Sequence, residues 1–343
     1  MARIGILTGG GDCPGLNPVI RAVVRKAINH NFEVVGIKNG WKGMLERDTL
    51  SLDLDAISGI LPKGGTILGT SRTNPYKKQE DVQRVVDNFK QLELTALIAV
   101  GGEDTLGVAA RLYKDFQLPL VGIPKTIDND IAETDFSFGF DTAVNIAMEC
   151  IDRLHTTAES HHRIMVVETM GRHAGWIATY AGLAGGADAI LIPEKPIDID
   201  EVCSLIMRRH GRGKNFSIVV VAEGAKFKEG TIVTQEGDVD EFGHVRLGGV
   251  GHVLARLIQE KTGYETRVTV LGHIQRGGSP TAFDRILGTR YGIRAVELIM
   301  EGKYGYVVCL KGNRIEEALL ENVLGKIKPV DEEIYRIAET FFG

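Results

Sequence analysis

The sequence predicts an α/β protein whose mainly parallel sheets are covered by helices on both faces. Three observations carry this reading. Short apolar, β-branched runs recur along the 343 residues, amphipathic stretches separate them, and glycine with charged residues gathers just after the runs. "RIGILT", "FEVVGI", "TALIAVGG", "LPLVGIP", "RIMVVETMG", "DAILIPE", "FSIVVVAEG", "RVTVLGH" and "YVVCLKG" each read as a strand. Between them, Phe140, Val144, Ala147, Ile151 and Leu154 recur at alternating steps of four and three, which places one apolar stripe on one helix face. Strand and helix alternation of this kind builds parallel sheets buried on both sides.

In open α/β sheets ligands sit beyond the carboxyl ends of the strands. Here those ends carry "TGGGD", "GGEDT", "PKTIDND", "ETMGRHAG", "AEGA" and "GHIQRGG", which is the pattern of an active site. A polar, glycine-rich stretch near 226–251 interrupts the alternation and is expected to form a surface excursion, such as a hairpin.

Composition narrows the partners. The length allows about two domains, and 43% hydrophobic with 25% charged residues is an ordinary globular mixture. A net charge of −5 argues against a general nucleic-acid binder, so an anionic ligand must be held by local clusters. Cys13, Cys150, Cys203 and Cys309 lie far apart and form no CxxC pair, which indicates neither zinc nor a disulfide framework and fits a reducing cytoplasm. The apolar run at the start is too short for a signal peptide, and no stretch approaches about 18 apolar residues, so export and membrane spanning are not expected.

"VGIPKTIDND" ends a core strand in a cation, a hydroxyl and two carboxylates. Charges brought that close cost free energy unless a metal ion or anionic ligand balances them, so the cluster suggests a phosphate and Mg2+ site. "LTGGGDCPGLNPVIRAVVRKA" reads as strand, glycine turn and helix, with the Gly10 and Gly11 N–H groups placed to face a phosphate, or else as a tight turn without a ligand. It is not a Walker loop, and Pro14 stands where a dinucleotide fingerprint needs its third glycine. In "VGGEDTLGVA", Glu103 can hold Mg2+ directly or through water while Thr105 donates to a phosphate oxygen. The alternative is that these residues cap a helix starting near Leu106.

Taken in order, "GGGDCPGLN", "GGEDT", "PKTIDND", "MGRHAG", "AEG" and "LGHIQRGG" resemble the 6-phosphofructokinase family from Arg3 to about Gly343. The glycine motifs are weak singly, whereas "PKTIDND" with "GHIQRGG" is specific. The resemblance implies phosphoryl transfer to the 1-hydroxyl of fructose 6-phosphate, with Mg2+. It also implies two Rossmann-like three-layer α/β/α domains with the site in the cleft between them. Residues 1–139 plus 275–325 would bind the phosphate donor, and 140–274 plus 326–343 the sugar phosphate.

By the same resemblance Asp128 takes the proton of the attacking hydroxyl, with Thr126 beside it, and Asp130 binds Mg2+ through its water shell; the sequence leaves these two aspartates open to exchange. Arg163, Arg267, His273 and Arg276 match sugar-phosphate positions, the first two reaching in from a neighbouring subunit of a homodimer or homotetramer. Met170 and Gly171 line the sugar pocket, Glu223 accepts bonds from sugar hydroxyls, and Arg172 and Arg72 stabilise the group in flight. His155, His161 and His162 lack metal-ligand spacing and read as structural. Arg21, Arg25, Asp188, Arg212 and Lys214 match part of the effector pocket of regulated bacterial members, but Leu54 and His155 stand where that pocket has arginines, so weak or absent effector control is expected.

The donor reading turns on two residues. Family members that use ATP typically have glycine at the positions of Asp104 and, often, Lys125, whereas pyrophosphate users have aspartate and lysine. A carboxylate at 104 repels the α-phosphate of a nucleotide and an ammonium at 125 neutralises bare pyrophosphate, which makes pyrophosphate the expected donor and ATP the alternative. Two features pull the other way: Glu103 stands where pyrophosphate users more often have Asp, and Trp41 offers an aromatic ring for adenine or else plain packing. A lipid or NAD kinase shares a segment like "GGEDT" but lacks "PKTIDND" and "GHIQRGG". A non-catalytic sugar-phosphate sensor is disfavoured by the presence of Asp128.

Overall fold

The structure is a computed structural model describing residues 2–228 and 248–343, so most of the expected excursion near 226–251 lies outside the described residues. Strands β1 (Arg3–Thr8), β2 (Glu33–Ile37), β3 (Thr49–Ser51), β4 (Ala96–Gly101), β5 (Leu120–Thr126) and β6 (Phe138–Gly139) precede β7 (Ile164–Thr169), β8 (Ala189–Leu191), β9 (Ser217–Ala222) and β10 (Thr266–Val270). Then come β11 (Tyr306–Lys311) and β12 (Arg314–Leu319). The helices are α1 (Leu16–Ile28), α2 (Trp41–Glu46), α3 (Gln79–Gln91), α4 (Glu103–Phe116), α5 (Phe140–His161), α6 (Trp176–Ala184), α7 (Ile199–Gly211), α8 (Val250–Thr262), α9 (Ala282–Met300) and α10 (Glu332–Glu339).

The strands form two sheets. The larger has the order β12-β11-β5-β4-β1-β2-β3, with β6 pairing β5, and the smaller has β10-β7-β9-β8. Strand β1 sits inside the larger sheet, Ile6 opposite Gly36 on one side and Ile98 on the other. All pairings are parallel except the two outermost of the larger sheet, β11 with β12 and β2 with β3.

Alternation along each strand sorts its side chains into separate cores. In β4, Ala96, Ile98 and Val100 join a central core while Leu97 and Ala99 join the opposite face. In β9, Ile218, Val220 and Ala222 point to that same central core, and Val219 and Val221 to a third. The central core therefore receives one face of each sheet, with α5 contributing Phe140, Ala147 and Ile151 of its expected stripe. Such strands are buried on both faces, which is why their sequences are near-continuously apolar. Helix α9 returns the chain to the first sheet, packing on α1, β5 and β11, and α10 packs on α6 and β8 of the second. The four cysteines are free thiols, and among the described residues no helix is long and apolar enough to cross a membrane.

Candidate active site

A cleft of about 610 Å3, space open to solvent included, lies where β1, β4 and β5 end. Of the expected residues it gathers Gly11, Arg72, Glu103, Asp104, Thr105, Lys125, Thr126, Asp128 and Asp130 from the first sheet's strand ends and loops, with Arg172 from beyond β7 and Arg276. Gly10 and Gly102 complete the lining.

The glycine turn works differently from the expectation. The Gly10 N–H donates to the Ser71 carbonyl at 3.0 Å, and helix α1 begins only at Leu16, after Gly15. The Gly10 N–H is thus spent on holding the loop that carries Arg72. Thr70 reinforces this contact, its hydroxyl donating to the Gly10 carbonyl at 2.5 Å. What the turn offers a ligand is access: a Cβ at position 11 would fall 2.5 Å from the Arg276 guanidinium, which itself donates to the Asp12 carbonyl at 3.1 Å. Lys125 also donates to the Gly11 carbonyl. Two cations thereby converge on one turn.

Lys125 is 3% exposed; burial lowers its pKa, with Cys13, Arg276 and Asp128 acting less strongly. Beyond it, Asn129 adopts φ 52°, a left-handed conformation that asparagine tolerates better than most residues. Its side chain fixes the turn, accepting from the Ser137 N–H at 3.0 Å and donating to the Asp135 carbonyl at 3.2 Å. The aspartates on either side both face the cavity. Asp128 is 4% exposed, and its Oδ1 is buried without a hydrogen-bond partner among the described residues. Its backbone N–H donates to the Thr126 hydroxyl at 3.0 Å. Asp130 is pushed up to about 7, chiefly by burial and then by the Asp128 charge, with Glu103 adding to it. Glu103 Oε1 accepts the Gly325 N–H at 2.7 Å. Among the described residues no group of three or more His, Cys, Asp or Glu side chains could hold a metal.

Helix α4 starts at Glu103, with Gly102 before it and no side-chain cap, rather than near Leu106. Capping therefore does not explain the acids of "GGEDT"; Glu103 and Asp104 lie in the first turn, where the helix dipole favours negative charge. Both also line an adjoining hollow of about 580 Å3 with Gly107, Val108, Arg111 and Leu324. Trp41 is 2% exposed and packed in a core with Leu7, Ile37 and Met44, so it is packing and not a stacking platform.

From the second sheet, Glu223 follows β9 and accepts the N–H groups of Gly171 and Arg172 at 3.3 and 3.2 Å. Burial raises its pKa, followed by the Asp128 charge. Position 224 must be glycine for this approach, because a Cβ there would fall 1.7 Å from the Arg172 carbonyl. Gly171 is buried and Met170 is partly buried against the central core, and neither lines the cavity. His273 is exposed on a short 3-10 turn, Gly272–Arg276, and does not line it either.

Arg163 and Arg267 stand elsewhere. Both pair with Glu265, Arg163 at 3.0 Å, at the amino ends of β7 and β10. At about 3.3 Å per residue, Arg163 lies roughly 20 Å before the carboxyl end of β7 and Arg267 roughly 10 Å before that of β10. They are not brought into this chain's own cavity. In the expected effector cluster, Asp188 is buried, pairs with Arg209 at 3.0 Å and accepts the Ile218 N–H at 2.9 Å, so its charge is spent internally. Arg212 bonds the Gly343 carbonyl, and His155 meets the Gly185 carbonyl at 2.7 Å.

Sequence reasoning missed Lys328. Its backbone N–H donates to the Asp130 carbonyl at 2.8 Å, and its ammonium donates to the carbonyls of Thr134 and Asp135, each at 2.8 Å. Nothing local in "GKIKPV" marks it, because its partners lie nearly two hundred residues earlier.

The family model described as Phosphofructokinase matches residues 3–299. The chain is 54% identical over 342 residues to the pyrophosphate–fructose 6-phosphate 1-phosphotransferase of Streptomyces coelicolor, covering 99% of this chain and 100% of that one. It is 53% identical over 338 residues to ATP-dependent 6-phosphofructokinase 3 of the same organism, covering 98% and 99%. The solved phosphofructokinase of Saccharomyces cerevisiae superposes with a TM-score of 0.83 at 30% identity over 99% of this chain, which spans about half, 46%, of that longer chain. The matched model, the full-length relatives and the shared fold agree: the chain belongs to the phosphofructokinase family.

Proposed function

We propose that the protein transfers a phosphoryl group from pyrophosphate to the 1-hydroxyl of fructose 6-phosphate, giving fructose 1,6-bisphosphate and orthophosphate, and runs in both directions. One observation carries the donor assignment: Asp104 and Glu103 line both the cavity and the hollow beside it. A nucleotide with its terminal phosphates in the cavity and its tail in that hollow would bring its α-phosphate beside Asp104. Like charges about 4 Å apart at a protein surface repel by about 4 kcal/mol. Pyrophosphate ends before that point, and buried Lys125 neutralises it. The burial of Trp41 removes the residue that favoured adenine. ATP is the second reading, supported by the size of the hollow and by the similarity to ATP-dependent relatives.

Asp128, its Oδ1 without another partner, takes the hydroxyl proton beside Thr126. Arg72 and Arg172 meet the charge of the group in flight, Arg276 and Thr105 hold phosphate oxygens, and Gly11 gives Arg276 its access. Mg2+ fits the acids present, since that ion is commonly bound by one or two carboxylates plus substrate phosphates and retains several waters. Asp130 and Glu103 would hold it, and it would supply neutralisation of phosphate charge. Met170, Gly171, Glu223 and His273 serve the sugar. Arg163 and Arg267 meet the 6-phosphate of a neighbouring subunit's sugar in a homodimer or homotetramer. Residues 1–139 plus 275–325 form the donor domain and 140–274 plus 326–343 the sugar domain. We place the enzyme in the cytoplasm, without nucleic-acid or membrane partners and with weak or absent effector control. Turnover of fructose 6-phosphate with Mg2+, measured once with pyrophosphate and once with ATP, tests the reading; activity with ATP alone overturns the donor assignment.

A further inference from the structure

Residues 325–330 cross the back of the candidate metal acids and bond to each structure that positions them. At one end the Gly325 N–H donates to Glu103 Oε1 at 2.7 Å. In the middle Ile327 bridges Ile131 in antiparallel fashion, and the Lys328 N–H donates to the Asp130 carbonyl at 2.8 Å. At the other end the Val330 N–H donates to Glu194 at 2.9 Å, and that carboxylate also accepts the Gly175 N–H at 3.1 Å, at the close of the "MGRHAG" loop that carries Arg172.

Lys328 anchors the crossing. Its ammonium bonds the carbonyls of Thr134 and Asp135 and lies 5.0 Å from the Trp176 ring centroid, while its own carbonyl accepts the Trp176 indole N–H at 2.9 Å. Burying an ammonium costs free energy unless its donors are used. Here they are used on the far side of the turn that holds Asp128 and Asp130. Strand β5 ends at Thr126, so sheet hydrogen bonds do not set where Asp130 stands relative to Glu103. Two neighbouring carboxylates repel, and only a fixed frame keeps both aimed into one cavity.

We propose that this crossing is a strap, anchored by Lys328, that fixes the separation of Glu103 and Asp130 and thereby sets the cavity's affinity for magnesium pyrophosphate. The inference rests on the reaction assigned above. Lys328 is a positioning residue, since it touches the acids' backbone rather than the substrate.

Calorimetric titration of magnesium pyrophosphate, and separately of fructose 6-phosphate, into the full-length protein tests this. Lys328→Met, which keeps the apolar stem, should weaken magnesium pyrophosphate about tenfold and leave fructose 6-phosphate within about twofold. Lys328→Arg, which keeps charge and donors, should recover most of the loss. Lys326→Met, on the same strap but exposed, should change neither. Unchanged magnesium pyrophosphate affinity in folded Lys328→Met, or equal losses for both ligands, overturns the strap. If that variant does not fold, Trp176→Phe removes the indole N–H from the Lys328 carbonyl and shrinks the ring beside its ammonium; about a threefold loss for magnesium pyrophosphate with fructose 6-phosphate unchanged supports the strap and no loss overturns it. Magnesium ATP titrated in parallel separates the two failures. A wild type that binds it and not magnesium pyrophosphate refutes the donor reading, and the strap is then judged by the same tenfold loss on ATP. A wild type that binds neither refutes both.

Discussion

The cavity at the carboxyl end of the first sheet and the arginine pair at the amino end of the second both gather cations, but they hold them in opposite ways. In the cavity Lys125 is 3% exposed and bonded to the glycine turn, and Arg276 is wedged against Gly11. At the amino end the Arg163 and Arg267 side chains are 28% and 55% exposed and share one carboxylate, Glu265. The cavity is pre-formed within one chain. The arginine pair lies on the surface at the other end of the second sheet, outside that cavity. Burial thus separates the two: the cavity's cations are fixed by contacts within the chain, and the arginine pair stays open to solvent.

The largest test breaks the cavity at its base. Asp128→Asn should lower turnover by about a hundredfold or more while the protein stays folded, because the remaining positioning groups are untouched; steady-state rates and circular dichroism read both, and full turnover would falsify the base assignment. Next, Arg163→Ala or Arg267→Ala should raise the KM for fructose 6-phosphate by about tenfold or more, by loss of a charge-assisted bond, without changing that for pyrophosphate. Mixing Arg163→Ala with Asp128→Asn subunits should recover turnover at low fructose 6-phosphate that neither gives alone; no recovery means that the arginine acts within its own chain. Asp104→Gly should sharpen the donor half, raising ATP-supported turnover by about tenfold as the repulsion at the mouth of the hollow is lifted. ATP rates that do not move remove Asp104 from donor selection.

The smallest effect concerns Asp284, which is fully buried and bonded to Thr142 at 2.6 Å. Burial outweighs that hydrogen bond and raises its pKa from 3.8 to about 6. The native state therefore holds its proton longer than the unfolded chain, so stability from this group is lost as pH rises from about 4 to about 6. Between pH 5 and 7 the loss is about 1 kcal/mol. Urea unfolding should show the wild type losing about that much relative to Asp284→Asn over this interval, and parallel pH profiles for the two would remove Asp284 as the cause.

Much of this was legible in the chain. The nine apolar runs correspond to β1, β2, β4, β5, β7, β8, β9, β10 and β11; β4, β7 and β9 are buried along their whole length and so have to be apolar throughout, whereas β10 is partly exposed. The strands that escaped were β3 and β6, of 3 and 2 residues, and β12, whose "RIEEAL" is charged and partly exposed. Strands β3 and β12 pair antiparallel at the edges of the larger sheet and β6 adds only a two-residue parallel pairing to β5, so none of them needs an apolar run. The cavity residues were readable since motifs at strand ends concentrate them, and twelve of those expected, Gly10 included, line one space.

What the sequence determined by itself was the alternation, the strand-end chemistry and the family, all of which rest on neighbours a few residues apart. Only the tertiary structure decided that the Gly10 N–H holds Ser71 rather than a ligand, that Trp41 is core, that Asp188 is consumed by Arg209, and that Lys328 reaches back to Asp130. Each of these is a contact between residues distant along the chain. Local periodicity carries no record of such contacts, and they exist only once the sheets have packed.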